Sequence, residues 1–514
     1  MCPYSFLVYY LTLLSLGNTM PLRAKPSTIL SVPPLSVSLL NIARSTLLGL
    51  IITVLLSGCG GSDGSDGSDD STSSTPSLPS DPNPPTTPDS PEVDTDWQPA
   101  GGNATISADV SRPFLQIMPN LPSSALGGVS PGRELFITQW TPANEGRALF
   151  DGVGPLFNAN ACTQCHSAEG RKPVYAADGV LSDAILFRLG DQQGLAHPYY
   201  GEQMQHQSID PSIATEGSVR YAMTAAHGET PAGVQFGFTP TDPNQPLGNM
   251  AISGRISPQL VGMGLLDLIP EANIIAAADP DDNDKDGISG RIHWVDEGMQ
   301  QRIGRFGWKA INASLRTQNA NAMSQDMGLT TSVFMEPNCT VNQPICWTAA
   351  NGGSPEVSDS SLDAVSDFMT ALAVPERRTG DLATFNKGAS LFAQVGCTGC
   401  HTPKQKTGDS SRFPLLSQQT IYPYTDLLLH DMGAGLDDGV KEKNAESYEW
   451  RTPPLWGIGI VARDPEARFL HDGRANSLTE AILWHGGEAE AVKTRFKQLS
   501  ATQKQTLLTF LNGI

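Results

Sequence analysis

Two short segments of this 514-residue chain have residues spaced for a specific chemistry. Cys162-Thr-Gln-Cys165-His166 and Cys397-Thr-Gly-Cys400-His401 each set two thiols three positions apart, with a histidine directly behind them. Such a pair of thiols can form thioethers to a porphyrin, and the adjacent imidazole then reaches the iron from one face. Zinc sites and thioredoxin-like redox sites share the CxxC pair. A zinc site, however, usually needs a second pair nearby, and here the pairs lie far apart, each with the same trailing histidine. The spacing predicts two covalently bound haem c groups, with His166 and His401 as proximal ligands. The opposite face of each iron decides function. A second strong ligand makes an electron-transfer centre, whereas an open or displaceable position admits peroxide or oxygen. Seven further histidines are candidates for that position: His197, His206, His227, His293, His430, His471 and His485.

Other residues offer chemistry of their own. Asp282, Asp284 and Asp286, followed by Gly287, have the alternate spacing with which carboxylates converge on a hard cation such as Ca²⁺. The twelfth position is His293 rather than Glu, so the loop is not a full EF-hand, and an acidic surface turn is the alternative. Cys339 and Cys346 lie in a Pro/Asn-rich stretch and are expected to form a structural disulfide, because the chain reads as exported to an oxidising compartment. A redox-active dithiol is the competing reading. The net charge of −20 argues against nucleic acid as a partner and favours a basic one.

The elements that must position these groups read as mainly helical. Arg147–Asn158, Leu260–Leu268, Leu362–Ala373, Thr384–Val395, Ser477–Leu483 and Thr502–Leu511 are helix candidates, and Ser477 with Glu480 forms a capping box. Few stretches alternate as strands. The 50 glycines and 39 prolines imply long loops. The expected fold is therefore mainly α: two cytochrome c-like haem domains with long loops, preceded by a disordered tether.

The N-terminus reads as an address. Residues 45–57 are apolar behind Arg44 and run into Leu56-Ser57-Gly58-Cys59, which resembles a bacterial lipobox with Cys59 as the acylated residue. A simple membrane anchor is the alternative. Residues 60–95 are Gly/Ser/Asp- and then Pro/Thr-rich, and suit a flexible tether. The expected organisation is a leader over 1–58, a lipid-anchored linker over 59–95, an N-terminal haem domain over 96–375 and a C-terminal one over 376–514. The expected location is the bacterial cell envelope, as a periplasm-facing or surface lipoprotein held at the outer membrane.

Several blocks carry a resemblance. GPLFNANACTQCHSAEGR, VGMGLLDLIPEA, DGISGRIHWV, GRFGWKA, YPYTDLLLHDMGAGL, RTPPLWGIG and FLHDGRANSLTEAILWHGGEA span about residues 130–514. Together they resemble the di-haem oxidoreductases, also labelled predicted thiol oxidoreductases, a branch of the bacterial di-haem cytochrome c peroxidase superfamily. The resemblance implies that the distal ligand of the C-terminal haem follows the HDG motif on a capped helix, which falls here on His485, with His471 as the second choice. It also implies that Trp308 relays electrons between the haems, and that Gln318 and Asp326 stand on the distal side of the N-terminal haem. A fixed carboxylate there can take a proton from one peroxide oxygen and deliver it to the other. This chain has Asp326 where the peroxidases have Glu, and one gap is two residues shorter. The implied activity is peroxidase-like: an electron-donor protein or small redox donor feeds the C-terminal haem, and peroxide or O₂ is the oxidant at the N-terminal one. An electron-transfer lipoprotein, or a haem-dependent oxygenase or thiol oxidase, are the alternatives.

Overall fold

Two pairs of helices cross at close range because glycine removes the side chain at each crossing. Ser123–Ile137 packs on Asp359–Thr370, where a Cβ at Gly132 would collide with the Ala364 carbonyl. Leu382–Val395 packs on Ala501–Leu511, where a Cβ at Gly388 would meet Thr506 O and Phe510. Both second helices carry serine caps: Ser358 accepts from Ser361 N, and Ser500 from Gln503 N. Phe136 and Phe392 lie on the first helix of each pair. Each stacks against a phenylalanine of the partner helix, Phe368 or Phe510, and each approaches the histidine of one CxxCH segment. The same local arrangement is thus built twice.

The computed structural model describes residues 99–514 apart from 108–110, 144, 146–148 and 177–178. The leader, Cys59 and the tether lie outside the described residues. The described residues belong to one compact unit, Pro84–Ile514. Its largest apolar cluster runs from Ala100 through Trp140, Phe306 and Phe368 to Trp456, Phe510 and Ile514. Among the described residues, no helix is long and apolar enough to cross a membrane.

The mainly-α expectation is wrong. The structure is 29% helical and 18% strand, and its strands form small separate two-stranded sheets. Gly217–Met223 pairs antiparallel with Val234–Pro240, Ile185–Gly190 with Ala251–Ile256, and Trp294–Glu297 with Gln300–Ile303. In the first pair Val219, Tyr221, Phe236 and Phe238 alternate with exposed neighbours, the period-2 pattern of a half-buried ribbon. The helix expected over Arg147–Asn158 is also absent from its described part. Gly152 and Gly154 hold φ of 103° and 93°, and Leu156–Phe157 is a strand paired with Gln207–Ser208. The helix read over Leu260–Leu268 shortens to Met263–Asp267, because Gly262 in the left-handed region precedes it.

Candidate active site

The helix Leu315–Met327 builds one wall of the first cavity. Ser314 caps its start by accepting from Thr317 N, and Gly328, at φ 70°, ends it. Gln318, Asn319, Ala322, Met323, Asp326 and Met327 recur at helical spacing along the cavity. Facing them are Cys162, Cys165 and His166, and the cavity encloses about 1560 Å³, its open mouth included. His166 Nδ1 lies 3.0 Å from Pro258 O. Donation from Nδ1 fixes the tautomer and leaves the Nε2 lone pair for a metal. Burial pushes the imidazole down to about 4, so it stays neutral, as an iron ligand must.

Asp326 is half-buried in the cavity wall, and desolvation pushes its carboxyl up to about 6 against the opposing pull of the Gln203 hydrogen bond and Arg188. Its Oδ1 accepts from Gln203 Nε2 at 2.9 Å, and its backbone carbonyl accepts from Asn158 N and Ala159 N at 2.8 and 3.0 Å. Burial, with a smaller contribution from Asp326, raises the thiols of Cys162 and Cys165 to about 12. Gln318 lies two turns earlier, and its Oε1 accepts from Asn312 Nδ2 at 3.0 Å, leaving the Nε2 donor for the cavity. Eight residues of helix separate the two by about 12 Å along the axis. Carboxylate and amide therefore serve different ends of the cavity.

The second cavity, of about 1390 Å³ including its mouth, is lined by Cys397, Cys400, His401, His430, His471 and His485. Leu382–Val395 delivers the CxxCH segment: Gly396, at φ 96°, turns the chain out of the helix straight into Cys397. His401 Nδ1 lies 3.0 Å from Tyr424 O, and burial takes this imidazole to about 4. His485 ends the helix Leu478–Trp484, and its Nδ1 lies 2.7 Å from Ala481 O. Its Nε2, like that of His401, is left available. His471 lines the same cavity but stacks on Trp450, with ring centroids 3.7 Å apart at 8°. Lys309 Nζ and the Arg255 guanidinium stand 4.2 and 4.6 Å from the same indole. Burial, with Arg255, Arg474 and Lys309 nearby, holds His471 well below its ordinary pKa.

Trp308 lines both cavities, as do Arg171, Arg451 and Pro453. The Trp308 Nε1–H donates to Ile256 O at 2.9 Å, and the Arg171 guanidinium lies 5.9 Å from its ring. Arg451 is buried and Arg171 half-buried, and desolvation brings each down to about 10. Their hydrogen bonds run to backbone carbonyls: Arg171 to Arg468, Arg451 to Gly307 and Thr452. Arg171 Nε is buried without a partner, and neither arginine has an ion-pair partner among the described residues. Desolvated cations without an ion-pair partner suit a ligand that brings its own carboxylates, as a porphyrin does through its propionates. With two thiols and a neutral imidazole in each cavity, the donor set fits two haems.

The remaining histidines lie elsewhere or are already engaged. His197 Nδ1 accepts from Tyr199 N and Tyr200 N, and its Nε2 lies 3.2 Å from Pro246 O. His206 pairs with Asp183 at 3.5 Å, and His227 sits in a turn with Thr230. None of the three lines the first cavity, where Met263, Met323, Met327 and Met369 appear instead. His293 is buried between Lys309 O and Asn444 N, away from any cation role. The carboxylate oxygens of Asp282, Asp284 and Asp286 lie within 4.8 Å of one another. Cys339 and Cys346 are disulfide-bonded, with Cα atoms 6.2 Å apart. Sequence reasoning missed Arg171, Gln203, Arg451 and the surroundings of His430. Arg451 was within reach, since it opens a block quoted for its resemblance, whereas Gln203 stands in no motif.

Residues 248–514 match the profile of the family described as "Di-haem oxidoreductase, putative peroxidase". Among solved structures, hydrazine synthase from Kuenenia stuttgartiensis, pressurized with 20 bar xenon, is similar at 12% identity and a TM-score of 0.31, covering 80% of this chain and 95% of that one. No curated protein matches the chain.

Proposed function

Because the chain belongs to the di-haem oxidoreductase family, it is a haem-dependent redox enzyme, and we propose that it reduces peroxide at the His166 site with electrons accepted at the His401 site. The reaction balances as H₂O₂ + 2 e⁻ + 2 H⁺ → 2 H₂O. The haems, attached through Cys162/Cys165 and Cys397/Cys400, supply one-electron storage and a metal centre to which peroxide can bind. The protein supplies everything else. His401 and His485 line one cavity with their Nε2 atoms free and would both hold the second haem, which would make that site an electron acceptor closed to substrate. In the first cavity His166 is the one lining histidine among the described residues, and it alone would hold the first haem.

The observation that carries this reading is the position of Trp308, whose indole stands in the wall common to both cavities while Asp326 faces only the first. Trp308 gives electrons a short aromatic path between the sites. Asp326 takes a proton from one peroxide oxygen on its carboxylate and returns it to the departing one. With an ordinary pKa pushed up to about 6, it is close to the value at which a group both accepts and gives up a proton near neutrality. Gln318, at the other end of the cavity, takes no part in this proton transfer. Arg171 and Arg451 would supply positive charge for the haem carboxylates.

Export suits this chemistry, since haem c is attached outside the cytoplasm. Acylation at Cys59 and the tether over 60–95 would hold the catalytic unit at the outer membrane, where the whole chain's net charge of −20 favours a basic electron donor. Steady-state peroxide consumption with a reduced donor tests the proposal. Turnover that falls on replacing Asp326 but leaves two covalent haems per chain supports it. Turnover no faster than that of free haem c contradicts it.

A further inference from the structure

His430 is buried with 2% of its surface exposed, and both of its ring nitrogens face carboxylates. Nδ1 lies 2.7 Å from Glu488 Oε2, and Nε2 lies 2.9 Å from Asp426 Oδ2. Two carboxylate partners require both nitrogens to donate, so the ring is an imidazolium. Nδ1 is also 3.6 Å from Cys400 Sγ. Glu488 is saturated in turn: Oε1 accepts from Ser289 Oγ and Asp431 N, and Oε2 from Ser289 N, each at 3.0 Å. Asp426 Oδ1 accepts from Leu428 N at 2.9 Å. A buried charge cluster this complete joins four segments: the CxxCH loop through Cys400, the strand Leu429–Asp431, the end of the acidic loop through Ser289, and the turn Gly487–Ala489.

Only Gly486 separates that last turn from His485. Gly486 caps the turn and Gly487 begins it, and glycine backbone by itself resists displacement poorly. Glu488 is the side chain through which this turn is tied to the rest of the cavity wall. We propose that His430 is a positioning residue for the second haem site: by clamping Glu488 it fixes the turn behind His485 relative to Cys400 and keeps His485 seated as the iron's second axial ligand. The inference rests on the reading of His401 and His485 as a bis-histidine pair.

The test uses the purified holoprotein with both haems attached, read by ferric EPR and visible spectra. His430→Gln and Glu488→Gln are each expected to raise the high-spin fraction of the C-terminal haem tenfold or more, with the His166-site signal unchanged. His430→Arg, which restores a cation between the two carboxylates, is expected to recover part of the low-spin signal. Wild-type low-spin spectra in both glutamine variants would overturn the proposal. If His430→Gln loses haem or fails to fold, Glu488→Gln decides alone, since it keeps the volume of the side chain while removing its charge and one of its two acceptor oxygens. The underlying reading fails separately: a low-spin signal that survives His485→Ala would show that His485 is not the ligand, and would remove the role assigned to His430.

Discussion

Replacing Asp326 with asparagine should make the protein more stable and much less active. Its carboxyl stands at about 6 instead of 3.8, mainly because burial disfavours the charge. At 1.36 kcal/mol per pH unit, the ionised form is destabilised by about 3 kcal/mol in the folded state. The sign follows from proton binding. Below pH 3.8 the group is protonated in both states and contributes nothing. Between 3.8 and about 6 the unfolded chain has released the proton and the folded one has not, so stability falls as pH rises. Above that window the loss is complete. Asparagine keeps an oxygen for the Gln203 amide and carries no charge, so Asp326→Asn should gain up to about 3 kcal/mol at pH 7 and lose the pH trend below it. Activity should move the other way. Removing a positioned proton-transfer group costs about 10²–10⁴ in rate. The wild-type rate should rise with pH through an inflection near 6, as the carboxylate forms, and this acid limb should vanish in the variant. Peroxide turnover from pH 4.5 to 8.5, alongside denaturant melts of the same samples, measures both. An asparagine variant within about threefold of wild type, or one that keeps the limb near 6, would refute the assignment.

Other substitutions probe the neighbouring parts. Gln203→Leu removes a hydrogen bond to the Asp326 carboxylate worth about 1.5–3 kcal/mol, so the acid limb should move about one to two pH units higher; an unmoved limb would show that Gln203 does not act through Asp326. Trp308→Leu should slow electron transfer between the sites on the order of tenfold or more, about 1.4 kcal/mol on the barrier, with Trp308→Phe intermediate; stopped-flow reduction of the His166 site is the assay, and equal rates would exclude the relay. Gly388→Val forces a side chain against Thr506 O and Phe510, and should cost about 1–3 kcal/mol in denaturant unfolding without changing the spectrum of the His166 site.

What could be read in advance was local. The CxxCH segments each gather two thiols and a histidine within five residues, and Leu382–Val395 and Ala501–Leu511 declare themselves by apolar periodicity and caps. The strands were missed although Val219/Tyr221 and Phe236/Phe238 alternate cleanly, because each ribbon is only seven residues long and Gly237 interrupts one of them. The stretch around Leu149–Asn158 looked helical by composition, but its two positive-φ glycines override propensity. The polar partners at the candidate site were out of reach for a different reason. Gln203 meets Asp326 across 123 residues, and His430 meets Glu488 across 58. Hydrogen bonds of that sequence separation leave no local pattern. The desolvated arginines Arg171 and Arg451 look like ordinary surface cations until the fold sets them between two cavities.

The central claim is that the two haem sites are unequal, with the His401 site closed by His485 and the His166 site open to peroxide. EPR of the fully oxidised and half-reduced holoprotein tests it most directly. The account predicts one low-spin bis-histidine signal, abolished by His485→Ala, together with a high-spin component from the His166 site that responds to added peroxide. Two low-spin signals in both redox states, with neither disturbed by peroxide, would contradict it.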